Sequence, residues 1–284
     1  HRTPASTTPG DLLRETWPQD AAFYARSVPR GGLLAEIRNP AQLVVGSFTA
    51  FILFGAGLLT LPISADGPGR VDAVDALFMS TSAVTVTGLA STDVSRFSLF
   101  GELVIMMLIQ IGGFGIMTIG SVLAIVASNR VGLRQRMLAQ AEIGAVDMGD
   151  LRRLILAIAK ITLVVEATLA VVLSLRFWQG GYEDSPIASA YSGIFHSIAS
   201  FNNAGISLYS DNLARFVGDP VVVLSVSAGF IIGGLGFPIL VEWWRRTSQR
   251  RHDIRRTHWT LHTKITLLVT AALLVFGPLV LMTF

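Results

Sequence analysis

The sequence predicts an all-α integral membrane protein built from a repeated unit. Each unit is a spanning helix, a short helix, a polar turn and a second spanning helix. Two whole copies are present, with the opening span of a third. Three observations predict this. Hydrophobic residues make up 51% of the chain and charged ones 14%, with a mean hydropathy of +0.58, whereas a soluble domain is nearer a quarter charged. Several apolar runs reach the roughly 20 residues that a helix needs to cross the hydrocarbon core at 1.5 Å per residue. The order of these runs recurs at a spacing of roughly 115 residues, the self-similarity that marks a repeat architecture.

Residues 1–39 mix arginines with acids and include Pro18 and Pro29. They form a polar leader, and Trp17, Phe23 and Tyr24 are suited to a membrane surface. No apolar core with a cleavage site opens the chain, so no signal peptide is expected. The first copy occupies 40–128. Its first span is Gln42 to Ile63, its short helix Asp72 to Ala83, its return chain Leu89 to Ser98, and its second span Leu99 to Ala127. A hydrophilic connector fills 129–150. The second copy occupies 151–244, with spans Leu151 to Phe177 and Pro220 to Trp243 around a short helix, Pro186 to Phe201. An Arg-rich connector, 245–258, leads to the last span in 259–284. Both ends read as cut from something longer.

The distribution of positive charge sets orientation. Five arginines lie in 129–153, six in 245–256 and five in 1–38, while the loops on the other side carry Asp66, Asp72, Asp75, Asp93, Glu183, Asp184, Asp211 and Asp219. The N-terminus and connectors are therefore assigned to the cytoplasm, and the short helices enter from outside. The acids either raise the local cation concentration at an outer mouth or are plain solvated loop residues. The net charge of +3 points to no nucleic-acid partner, and without cysteine no disulfide or thiolate metal site is available.

The chemistry is expected where each short helix ends. Thr85, Val86, Thr87 and Gly88 follow a helix whose C-terminal carbonyls carry partial negative charge, which favours a cation. In extended conformation these residues offer a row of main-chain oxygens, able to replace the water shell of a bare monovalent ion. Gly88 permits backbone angles that a side chain forbids. The plain alternative is an outer loop rich in Ser and Thr. Asn202, Asn203, Ala204 and Gly205 hold the same place in the second copy, which argues against a plain loop.

Thr81-Ser-Ala-Val-Thr-Val-Thr-Gly-Leu89 and Gln110-Ile-Gly-Gly-Phe-Gly-Ile-Met117 resemble motifs of the Trk/Ktr/HKT potassium transporter family, most closely its bacterial Ktr type. Phe195 to Gly205 and Ile232-Gly-Gly-Leu-Gly-Phe237 resemble its second repeat. The resemblance covers roughly residues 40 to 284. It implies a potassium-channel-like pore fold of four span–pore-helix–span repeats around one pore, each lending one filter segment. Thr85–Gly88 and Asn202–Gly205 would then hold potassium against their carbonyls, and Gly88 would favour potassium over sodium. It also implies a homodimer, a cytoplasmic nucleotide-binding regulatory subunit and transport with or without sodium coupling. No enzymatic activity is implied, and potassium at the filter residues is the one metal expected. Half a ring of carbonyls cannot coordinate a dehydrated ion, so the chain is expected to be part of a longer protein.

Several other residues invite a role. Gly113-Phe-Gly115 lacks the third glycine and the preceding strand of a dinucleotide-binding turn. Close helix approach or flexing beside the pore explains these glycines better. Lys160 and Glu166 lie inside a span, where ionisable groups are functional candidates. Lys160 can snorkel toward the inner surface. Glu166 is assigned either a buried structural bond, with Glu102 and His196 as candidate partners, or tuning of the ion path. His196 reads as a satisfied buried donor, and the pair His258 and His262 as interfacial rather than metal-binding. Arg245, Arg246, Arg250 and Arg251 suit anionic membrane lipid or a docked regulator. The predicted function is potassium uptake across the plasma membrane through a carbonyl-lined filter. The alternatives are the potassium-binding subunit of an ATP-driven pump and a non-transporting membrane scaffold.

Overall fold

The computed structural model of the chain describes residues 40–67, 69–128, 148–249 and 259–283. The expectations for the leader, for most of the first connector, and for Arg250, Arg251 and His258 lie outside those residues. Regular structure among the described residues is helical, apart from an isolated bridge between Ala65 and Phe97. The helices are α1 (Pro40–Leu59), α2 (Ala73–Thr85), α3 (Leu99–Ser128), α4 (Met148–Gln179), α5 (Pro186–Phe201), α6 (Pro220–Leu235), α7 (Phe237–Gln249) and α8 (Leu261–Leu281). The chain divides into two units within α1, at Gly46. The described part of the first unit, residues 40–46, is the opening of α1, and the second unit holds every other element.

Capping chemistry fixes where the helices begin. The Asp72 carboxylate accepts from the Val74 N–H ahead of α2. The Ser185 hydroxyl accepts from the Ala188 N–H ahead of α5, with Pro186 in the first turn, and Asp219 caps α6 ahead of Pro220. These are the residue types that satisfy the orphan N–H groups of a first turn.

Helices α3, α4 and α8 contain stretches long and apolar enough to cross a membrane: Leu99–Ile116, Leu156–Gln179 and Leu261–Leu281. Two expected spans differ. The run from Gln42 to Ile63 is not one helix, because α1 ends at Leu59 and a short 3-10 turn, Pro62–Ser64, follows. Pro62 forces Leu61 into extended backbone and offers no N–H to continue the helix. The expected span from Pro220 to Trp243 is broken, with α6 and α7 meeting at 96°. Gly236 takes a φ of 81° and its N–H turns to the Gly233 carbonyl, while Pro238 lacks the N–H that a continuing ladder would need. A glycine in this conformation followed by proline is how helices stop.

The short helices sit among the long ones. Helix α5 buries Ser189, Ser192, Gly193, Phe195, His196, Ser197, Ala199, Ser200 and Phe201, so little of its surface is free. Its buried serines are all satisfied: Ser189 donates to the Ser185 carbonyl, Ser192 to Glu183, Ser197 to the Glu166 carbonyl and Ser200 to the Ser197 carbonyl. Satisfaction of this kind is what makes a polar helix tolerable inside a protein. Around α2 the core joins Leu59, Ala76, Met79, Ala83, Ile105 and Ile109 to Phe195 and Ala204.

Candidate functional site

Each short helix is held by a like pair of contacts, one from a serine in its body and one at its end. The Ser80 hydroxyl of α2 donates to the Ile52 carbonyl of α1 at 2.7 Å, and the Ser197 hydroxyl of α5 donates to the Glu166 carbonyl of α4 at 2.6 Å. At the far ends, a β-carbon on Gly112 of α3 would overlap the Val84 carbonyl, and one on Gly233 of α6 would overlap the Phe201 carbonyl. Bare glycines thus let α3 and α6 touch the main chain at the ends of α2 and α5, the close approach expected of small residues.

The turns that follow share a backbone. Val86 and Asn203 take φ of 55° and 59°, and Gly88 and Gly205 take 81° and 65°. The Thr87 N–H reaches back to the Ser82 carbonyl and the Ala204 N–H to the Ala199 carbonyl. The expected extended run is therefore replaced. Thr85 still belongs to α2, Val86 caps it in the left-handed region, and the Gly88 φ is positive again. A helix end leaves carbonyls to be closed, and a left-handed residue closes them. Asn tolerates that geometry, whereas a β-branched residue such as Val86 adopts it at a cost of about 1–3 kcal/mol.

The two turns meet. A β-carbon on Gly88 would stand 3.0 Å from the Ala204 carbonyl oxygen and 3.3 Å from Gly205 Cα, and one on Gly205 would stand 3.0 Å from Gly88 Cα. Thr85 donates to the Thr81 carbonyl at 2.7 Å, so in its 2.5 Å contact with Thr87 the Thr87 hydroxyl is the donor. Thr85, Thr87, Asn203 and Gly205 are exposed, while Asn202 and Ala204 are buried.

The side chains of the second turn point elsewhere. With its amide oriented to satisfy both groups, Asn203 donates to the Phe230 carbonyl and accepts from the Gly234 N–H. It thereby brackets one rung of α6 just before the break at Gly236. Asn202 Nδ2 shares its two hydrogens among three acceptors, Glu166 Oε1 at 3.1 Å, Gln110 Oε1 at 2.9 Å and the Ile198 carbonyl at 3.0 Å, and Gln110 Nε2 donates to Glu166 Oε2 at 3.2 Å. A β-carbon on Gly113 would overlap Asn202 Oδ1. The partners of Glu166 are therefore Gln110 and Asn202, not Glu102 or His196. Gln110 and Gly113 were missed as parts of this arrangement; an amide in an otherwise apolar span was the available signal.

Other polar groups have structural partners. His196 bonds the Ser192 carbonyl and the Ser207 hydroxyl and stacks on Tyr209. Glu102 accepts from Tyr191, which ties α3 to α5. Among the loop acids, Glu183 accepts from Ser192 and Tyr209, and Asp211 pairs with Arg215. Burial, then the bond to Glu183, hold the Tyr209 phenol above its ordinary value. Asp219 accepts from Arg176 Nε at 2.6 Å, from the Tyr182 hydroxyl at 2.9 Å, and from the Val221 and Val222 N–H groups. Burial pushes its carboxyl up, but the bonds from Arg176, Tyr182 and Val222 outweigh that and hold it below its ordinary value. Lys160 lies 5.6 Å from the centre of the Trp244 ring, a cation–π distance.

Long apolar helices packed against short helices whose buried serines are satisfied define a membrane-embedded helical protein. The chain belongs to the TrkH family, described as cation transport protein, whose model matches residues 32–284. It is 39% identical over 266 residues to Ktr system potassium uptake protein B of Vibrio alginolyticus, covering 91% of this chain and 54% of that protein. It is also 39% identical over 237 residues to the protein of the same name from Bacillus subtilis, covering 83% of this chain and 50% of that one. Potassium/sodium uptake protein NtpJ of Enterococcus hirae is 34% identical over 245 residues, with 84% and 51% covered. The chain spans about half the length of the curated relatives it matches.

Proposed function

We propose that this chain is the first half of a potassium-translocating membrane protein, in which Thr85–Gly88 and Asn202–Gly205 are two of four filter segments. The observation that carries the reading is the contact of Gly88 with Ala204 and Gly205. Two turns of like backbone, each at the end of a short helix, share one place. The macrodipoles of α2 and α5 end there with partial negative charge, which a cation would stabilise. Membership of the TrkH family and the potassium uptake named for its relatives support the same ion.

On this reading 40–128 and 151–244 are two repeats and 259–284 opens a third, with the N-terminus and connectors cytoplasmic. The complete protein works as a homodimer under a separate cytoplasmic nucleotide-binding subunit, in keeping with the word system in the Ktr names. Uptake depends on sodium, in keeping with the name of NtpJ, while sodium does not pass the parental filter. The test is growth and uptake of a radioactive potassium analogue in cells that lack their own potassium uptake, carrying the full reading frame. The parent should restore growth at low potassium. Gly88→Ser and Gly205→Ser, expressed to parental level, should lower uptake and admit sodium. Parental selectivity in both variants would refute the filter assignment.

A further inference from the structure

Behind the second turn, three buried or half-buried side chains face one another with a fixed hydrogen-bond polarity. Asn202 presents the same nitrogen to Gln110 and to Glu166, and Gln110 and Glu166 also face each other. Whatever atom Asn202 presents to both, each partner must answer with the opposite kind. If both partners were amides, each would then turn its remaining atom, of one kind, to the other. That contact would be donor against donor or acceptor against acceptor. A carboxylate has two acceptors and removes the conflict: Asn202 shares its two N–H bonds among Gln110, Glu166 and the Ile198 carbonyl, Gln110 donates once and accepts once, and Glu166 accepts twice. In a site of low dielectric, an unmade bond in such a set costs more than the same bond at a surface.

We propose, on the filter reading above, that Glu166 and Gln110 are positioning residues that fix Asn202, and with it the second turn, against Gly88, so that their polarity sets ion discrimination. Three further contacts leave the turn little freedom to compensate. Gly113 is bare where Asn202 Oδ1 rests, Ser197 donates to the Glu166 main chain, and Ala204 and Gly205 are already against Gly88. The side chains of Asn202 and Glu166 are buried, so the network acts through the main chain that Asn202 heads.

The polarity rule makes an unusual prediction, because it concerns the order of the three groups rather than their identity. Glu166→Gln makes a conflict and Gln110→Glu sets two carboxylates together. The exchange Gln110→Glu/Glu166→Gln restores a carboxylate that accepts twice and an amide that does both.

The experiment uses the full-length protein in cells without other potassium uptake, and measures the KM for potassium and the potassium-to-sodium uptake ratio. The two single variants should each raise KM or narrow the ratio by about tenfold, the scale of one unmade buried bond. The exchange should recover to within about threefold of the parent. Parental KM and ratio in Glu166→Gln, or an exchange no better than the single variants, would overturn the proposal. Melting temperatures of the four purified proteins form a second readout that needs no transport. If Gly88→Ser and Gly205→Ser both also transport and select like the parent, the filter reading fails. The network alone then stands on lower melting in both single variants and recovery in the exchange, and falls without that pattern.

Discussion

Gly233 meets the carbonyl of Phe201 so closely that a β-carbon built on it would overlap the oxygen. Gly112 stands in the same relation to Val84. The obstacle is main chain in both cases, so no rotamer change can relieve it. The end of each short helix rests on a bare patch of the helix that follows.

Gly112→Ala and Gly233→Ala should therefore each destabilise the protein by about 3 kcal/mol, the upper range for overpacking, and should disturb the turn beyond. Gly57→Ala is the control, since a β-carbon there has nothing within 4 Å. Removing a helical glycine should gain about 0.5–1 kcal/mol. Thermal unfolding of the three variants in detergent checks both signs. Equal melting of Gly57→Ala and Gly233→Ala would contradict the packing described.

The break between α6 and α7 is measurable because the chain has no cysteine to mask. Spin labels at Leu224→Cys and Trp243→Cys would lie about 28 Å apart on one straight helix at 1.5 Å per residue, and about 21 Å apart across a right-angle bend. The parent should give the shorter distance. Gly236→Ala/Pro238→Ala should lengthen it, because alanine restores the missing N–H and disfavours the positive φ.

Asp219 joins the end of α4 to the start of α6 through Arg176 and the α6 cap. Asp219→Asn should cost about 2 kcal/mol at neutral pH, the value of a hydrogen bond to a charged group. Its carboxyl is held below the ordinary value when folded. Its contribution is thus present above the unfolded pKa of about 3.9 and is lost as pH falls through the lower folded value. The melting gap between parent and Asp219→Asn should stay constant from pH 7 to about pH 5 and close below about pH 4. A gap that widened in acid would reverse the sign argued here.

Much of the architecture was legible because the bilayer imposes length and apolarity. Helix α3 runs from Leu99 to Ser128 and α5 from Pro186 to Phe201, against expectations of Leu99 to Ala127 and Pro186 to Phe201. The break at Gly236 was also written in the sequence, as glycine followed by proline, but the apolar run masked it. The turns were legible in place and not in conformation. Nothing in Val86 announces a left-handed residue, because valine resists that geometry and only the surrounding contacts impose it. Glu166 stood out as an acid in a span, whereas its partners come from α3 and the second turn, which only the folded chain brings beside it.

Gly88 and Gly205 compete for one small volume, each occupying what the other's side chain would need. Enlarging either would consume the clearance of both, so the first substitution does the damage and the second adds little. In genetic terms the two positions behave as a single locus: their effects should be strongly epistatic, and reverting one alone should not restore a doubly altered protein.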